Sequence, residues 1–171
     1  MKAILMSIQS KWLAKILNGE KTVELRKRFP KDYRGWVYLY CTKAKPYLIR
    51  FFGRHFTTYY LASKVKDDGL VKNGLVVAKF TLNYVSTCLN TDYGNEEILK
   101  NACLTKQELD DYVGKRKFFA WHIENLVIFD KSKELGEFSV ERYAEMPNGV
   151  FPCYEPIIKA PQSWQYVEVE K

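Results

Sequence analysis

Three charged residues in one short run carry the first chemical argument. In Gly19-Glu20-Lys21-Thr22-Val23-Glu24-Leu25-Arg26 a carboxylate, Glu24, stands between two cations, Lys21 and Arg26. Val23 and Leu25 alternate with Thr22, Glu24 and Arg26, the spacing of a half-buried strand with its apolar side chains in the core and its polar ones on a single opposite face. Lys21 lies where a helix gives way to this strand, so its long side chain reaches the same rim. The neighbouring cations favour the ionised form of Glu24. Such a set can clamp a phosphate, Arg26 through its planar fork and Lys21 as a point charge. It can equally be an ion-pair ladder between structural elements. Spacing alone does not separate the two.

Other side chains could join the site. Ser7 and Thr22 carry hydroxyls beside turns, where they either meet a ligand or bond the local backbone. Trp12 can stack on a base or anchor its helix in the core. Trp164 stands after Pro161 in a polar stretch, outside any periodic apolar face, and reads as a stacking lid or as a plug. Arg50-Phe51-Phe52-Gly53-Arg54-His55-Phe56 interleaves cations with aromatics, as single-strand binders do, although solvated Arg beside buried Phe gives the same string. Lys115-Arg116-Lys117 reads as a solvated turn, and His122 as a core imidazole; His55 is a second lone histidine. The carboxylate pairs Asp67-Asp68 and Asp110-Asp111 read as solvated faces. There is no nucleophile triad and no Gly-rich phosphate loop.

The elements that must position these residues follow from periodicity. Lys2 to Ile8 is a first strand. A helix follows with Ser10 as its expected N-cap, Trp12, Leu13, Ile16 and Leu17 at helical spacing, and Gly19 as its stop. Further strands are expected at Val23–Arg26, Trp36–Tyr40, Leu75–Leu82 and Phe118–Ile123, with Val127–Phe129 extending the sheet. Asn95 to Gly114 reads as helical, with Thr105 as N-cap and Glu108 at capping-box spacing. Tyr47 to Gly69 fits the strand pattern poorly and is expected to be a partly helical insertion. Strands dominate, which favours an α+β barrel with two or three helices over a doubly wound parallel sheet.

Composition sets the frame. The chain has 171 residues, 47% of them hydrophobic, enough for one domain with a sizeable core. No stretch approaches the roughly 20 apolar residues of a membrane helix, and the apolar run at Met1–Met6 is too short for a signal peptide, so a cytoplasmic protein is expected. The cysteines Cys41, Cys88, Cys103 and Cys153 show no paired metal-ligand spacing and read as reduced thiols; neither a metal nor a cofactor is expected. A net charge of +7 and 15% aromatic residues favour a nucleic-acid partner, though a basic surface also serves solubility.

Taken together, Gly19-x-Lys21-x-x-Glu24-x-Arg26 resembles the GxKxxExR signature of the ASCH superfamily (activating signal cointegrator homology), a branch of the PUA-like barrels. Ser7-Ile8 before the helix, Trp12 one turn into it, Gly35–Tyr40, the Gly-led strand Gly74–Phe80 and the tail Ala160–Tyr166 extend the likeness. It is dense over Met1–Tyr40, patchy over Gly74–Phe129, and returns at Pro161–Tyr166, where it is similar to bacterial and phage members. Many members have a proline at the start of the first helix, where this chain has Ser10.

The resemblance implies a single PUA-like domain over residues 1–171, with insertions near 47–69 and 95–114. It also implies a basic cleft between first helix and barrel that holds RNA or a nucleotide through Ser7, Trp12, Lys21, Thr22, Glu24, Arg26 and Trp164. DNA is not separated from RNA as the partner. Some members are hydrolases, ribonucleases or an amidohydrolase of acetylcytidine. The latter uses a lysine matching Lys21 and a threonine nucleophile where this chain has Glu24. With that nucleophile missing, Lys21 and Glu24 are the remaining catalytic candidates, and Glu24 between two cations is a weak base at neutral pH. A binding module is therefore expected ahead of an enzyme on RNA or modified nucleosides, with a protein-interaction adaptor as a third possibility.

Overall fold

The run of apolar residues at the N-terminus becomes a strand buried at every residue but its first. In the computed structural model, which describes residues 1–65, 70–91 and 94–169, β1 (Lys2–Ile8) sends Ile4, Met6 and Ile8 into one core and Ala3 and Leu5 into a second. A strand covered on both faces has no polar side, which is why its sequence is apolar without alternation. The chain then forms α1 (Ser10–Leu17), β2 (Val23–Arg26), β3 (Gly35–Cys41), β4 (Tyr47–Phe52), β5 (Thr57–Ala62), β6 (Val76–Leu82) and β7 (Val85–Leu89). Two helices, α2 (Glu96–Ala102) and α3 (Lys106–Val113), precede β8 (Lys117–His122), β9 (Glu124–Lys133), β10 (Phe138–Met146), β11 (Gly149–Pro156) and β12 (Trp164–Val169).

The fold is α+β and PUA-like, with open sheets rather than a closed barrel. A seven-stranded sheet runs β11-β10-β12-β1-β3-β6-β9, a three-stranded sheet β2-β8-β7, and β4 and β5 form a separate hairpin. β1 and β3 are parallel, and the other named pairs are antiparallel. α1 lays Leu13, Ala14, Ile16 and Leu17 on the first core. A third cluster joins Val23 and Leu25 of β2 to Ala102, Leu109 and Val113 of the later helices. β2 is thus held from beneath by α2 and α3 while its other face stays available for polar side chains. Among the described residues no helix is long and apolar enough to cross a membrane.

Several expectations need correction. The described part of 47–69 is a β-hairpin with no helix, because Tyr, Phe, Thr and Ile pack well on a pleated surface and outweigh the interleaved charge. Asp67-Asp68 lies outside the described residues. The N-cap of α1 is Gln9, and Ser10 is the first helical residue, its hydroxyl donating to the Pro46 carbonyl at 2.6 Å. The polar stretch around Trp164 is strand β12, paired with β1 from Met6↔Trp164 to Lys2↔Glu168. The Asn95–Gly114 segment holds two helices, and the second does begin with the Thr105–Glu108 capping box.

Candidate functional site

A tight helix exit places the first cation. Gly19 adopts φ +78°, a left-handed conformation with no Cβ penalty for glycine, and the Lys15 carbonyl accepts from the amides of both Glu20 and Lys21. This turn drives the Lys21 side chain inward, leaving the residue 3% exposed. Its Nζ donates to the Ala102 carbonyl at 2.7 Å and lies 3.3 Å from Glu24 Oε2. It also sits 5.4 Å from the centre of the Trp12 ring. Burial lowers the Lys21 pKa below the usual lysine value, and the neighbouring carboxylate offsets part of that effect.

Glu24 and Arg26 follow from strand alternation, both on the face opposite Val23 and Leu25. The other Glu24 oxygen, Oε1, lies 3.3 Å from Arg26 Nη2, and the two residues are 8% and 9% exposed. Arg26 also donates from Nη2 to the Ser7 carbonyl at 2.8 Å and from Nη1 to Ser163 Oγ at 3.4 Å. Ser7 donates its hydroxyl to the Pro161 carbonyl at 2.6 Å, and its amide to the Ser163 carbonyl at 2.9 Å. The triad is thereby fixed to β1, to α2 and to the segment ahead of β12. It is a buried ion cluster, and the same three residues form the floor of a cleft.

Above this floor opens a cleft of about 600 Å³, within the range of small-ligand sites. Ser7, Trp12, Lys21, Glu24 and Arg26 of the expected set line it. Thr22 and Trp164 are absent from the lining. Thr22 is exposed, its amide donating to Asn101 and its carbonyl accepting from Ile123. Trp164 packs in the first core, 5.7 Å from the Trp121 ring and 5.8 Å from Tyr166, which is the plug arrangement. Trp12 packs against that core and leaves part of its ring on the cleft wall. Lys11 covers the same ring at 4.1 Å.

The opposite wall comes from α3 and was not foreseen. Glu108, Asp111 and Tyr112 line the cleft, and Lys11 reaches Glu108 at 3.5 Å across its rim. The Thr105 amide, in the capping box, holds the Glu108 carboxyl below its usual pKa. The capping box was a legible signal for where α3 starts, but not for which face it turns to β2. Thr42 is a second unforeseen contributor, since its Oγ1, like Nε of Arg26, is buried with no hydrogen-bond partner among the described residues.

These additions change the electrostatics. The lining holds three cations, Lys11, Lys21 and Arg26, and three carboxylates, Glu24, Glu108 and Asp111. The cleft is charge-balanced rather than basic, and the chain's excess of positive charge lies elsewhere. Of the remaining candidates, His122 shares a 2.8 Å hydrogen bond with Ser86, while His55 and Lys115-Arg116-Lys117 are exposed.

An α+β, PUA-like scaffold with a polar cleft between first helix and sheet defines the class, and comparison with solved structures gives it a name: the fold is that of the ASCH proteins. The crystal structure of ASCH from Zymomonas mobilis matches with a TM-score of 0.56 at 15% identity, covering 97% of this chain and 87% of that one. A serine-to-alanine mutant of the same Zymomonas mobilis protein matches at 0.58 and 15% identity, over 97% and 88% of the two chains. A tyrosine-to-phenylalanine mutant gives 0.51 and 17%, over 79% and 77%. No family model and no curated protein matches the sequence.

Proposed function

We infer that the chain is an RNA- or nucleotide-binding module that takes one nucleotide's base into the cleft. The observation that carries this is the combination of a partly open Trp12 ring with a buried floor of donors and acceptors in a cleft whose lining is charge-balanced overall. A base needs a π-face to stack on and both kinds of hydrogen-bonding group at its edge. A phosphate chain needs unopposed cations, and Glu24 already engages the two deepest ones. The unpartnered Arg26 Nε and Thr42 Oγ1 add a donor and a hydroxyl whose burial costs stability unless a ligand meets them.

Titration with the four ribonucleoside monophosphates tests this. Trp12→Ala should weaken the tightest of them by about 1–3 kcal/mol, the usual worth of one stacked base. Equal affinities for wild type and a folded Trp12→Ala variant would contradict the assignment.

Hydrolysis of RNA or of an acylated nucleoside is the second reading, and one observation favours it: burial lowers the Lys21 pKa, as in lysines that work as bases. Against it, Lys21 Nζ is committed to Ala102 and Glu24, and the Ser7 hydroxyl to Pro161. No activated nucleophile faces the cleft among the described residues.

A further inference from the structure

The hairpin of β4 and β5 stands outside the cleft and carries a different surface. From Lys43 to Val65 the chain contains Lys43, Lys45, Arg50, Arg54 and Lys64 and no carboxylate. Its tip, Phe52-Gly53-Arg54-His55-Phe56, exposes two large rings, Phe52 at 59% and Phe56 at 63%. Arg54 and His55 between them are exposed too. Exposed aromatics on a mobile side chain would be a poor platform, because ordering them on binding costs entropy. Here each ring is backed.

Arg50 backs Phe52, with its guanidinium 4.6 Å from the ring centre. Arg50 is itself fixed, 8% exposed, donating from Nη1 to the carbonyls of Phe129 and Asp130 at 3.0 and 2.9 Å, with the Asp130 carboxylate 3.6 Å from Nη2. The guanidinium therefore ties the hairpin to β9 and supports the ring from beneath. Phe56 is backed by Gly53: a Cβ placed there would lie 2.9 Å from the Phe56 ring, so only glycine lets the ring settle on the backbone. The Gly53 amide donates to the Phe56 carbonyl at 2.8 Å and closes the tip.

We propose that this hairpin tip is a second contact for single-stranded RNA, separate from the cleft, in which Phe52 and Phe56 stack on bases and Arg54 meets a phosphate. Supported rings with a free cation between them suit sequence-tolerant binding, since every base offers a π-face and every nucleotide a phosphate. Arg54 forms no ion pair among the described residues, so its charge is available. The tip goes beyond the cleft and does not depend on it. A strand bound here gains affinity from length, whereas a cleft that takes one base does not.

The test compares a fluorescein-labelled oligouridylate of about ten nucleotides with uridine monophosphate as ligands. The double substitution Phe52→Ala/Phe56→Ala should weaken the oligomer by about tenfold or more and leave the mononucleotide unchanged. Gly53→Ala keeps both rings but must displace Phe56, and should give a smaller loss. Arg54→Ala should flatten the logarithmic salt dependence of oligomer binding by about 0.7. Trp12→Ala should weaken the mononucleotide, so failure of the cleft and failure of the tip read out separately. Oligomer affinity unchanged in all three tip variants, with far-ultraviolet circular dichroism like that of wild type, overturns the proposal. So does a double variant that keeps RNA binding while losing sedimentation with anionic phosphatidylserine vesicles, or losing self-association.

Discussion

Replacing Glu24 by glutamine keeps the side chain's shape and removes the charge that two buried cations share. Each cation lies 3.3 Å from one carboxylate oxygen. With an effective dielectric constant near 20, each contact is worth about 5 kcal/mol before the desolvation of the ions is subtracted. Breaking a buried pair by deleting one partner costs about 3–5 kcal/mol, because the surviving charge stays buried. The glutamine oxygen still accepts one hydrogen bond, so a loss of about 2–4 kcal/mol is expected for Glu24→Gln. For a chain of this size that lowers Tm by roughly 5–15 °C.

The control is Glu20→Gln, which breaks the exposed Lys15–Glu20 pair at 3.7 Å and should cost under about 1 kcal/mol. Urea unfolding of both variants, with the slope checked for constancy, measures the two losses. The deficit should also shrink in alkali. The folded-state pKa of Lys21 lies below its unfolded value of 10.5, so between the two values the unfolded chain holds the extra proton and stability rises with pH. Removing Glu24 lowers the folded pKa further and starts this recovery at lower pH. A Glu24→Gln deficit no larger than that of Glu20→Gln would refute the buried-triad reasoning.

Burial raises the Cys41 thiol pKa from 9.0 to about 12, so its stabilising contribution is complete below pH 9 and is lost as pH climbs through 12. The stability advantage of wild type over Cys41→Ala should therefore narrow by about 1.4 kcal/mol for each pH unit above 9, measured by urea unfolding, while Tyr33 and the other buried phenols titrate alike in both proteins. Gly19→Ala should destabilise by about 1–2 kcal/mol through its positive φ alone, since no atom lies within 4 Å of the added Cβ; thermal melting checks this. Incubation with acetylcytidine or with a mixed RNA pool should yield little product, and product formation abolished by Lys21→Ala would promote the hydrolase reading.

The part of the molecule that could be read from residues alone is the part where one local pattern decides the structure. β1 is a continuous apolar run, α1 and β2 each have a clear period, Gly19 marks the stop between them, and the positions of Lys21, Glu24 and Arg26 follow. The β4–β5 hairpin was obscured because Arg50, a buried cation satisfied by the carbonyls of Phe129 and Asp130, breaks the expected alternation. β10 and β11 carry exposed residues on both faces along most of their length and so show no period to detect. The balance of charge in the cleft was hidden for a different reason. From Lys21 to Arg26 there are two cations to one acid, and the compensating Glu108 and Asp111 arrive from α3, far along the chain. Trp164 looked free because its neighbours are polar, yet pairing with Met6 on β1 carries it into the first core.

The placement of a base against Trp12 is open to one direct measurement. The chain has four tryptophans, each giving one indole N–H resonance. Trp12 lines the cleft, Trp121 and Trp164 pack in the core, and Trp36 lies on β3 under Lys79 at 4.1 Å. In a nuclear magnetic resonance titration with a ribonucleoside monophosphate, the Trp12 signal should shift saturably and by more than the other three. A Trp12 resonance that stays fixed at saturating nucleotide, or that moves no more than that of Trp36, would contradict binding in this cleft.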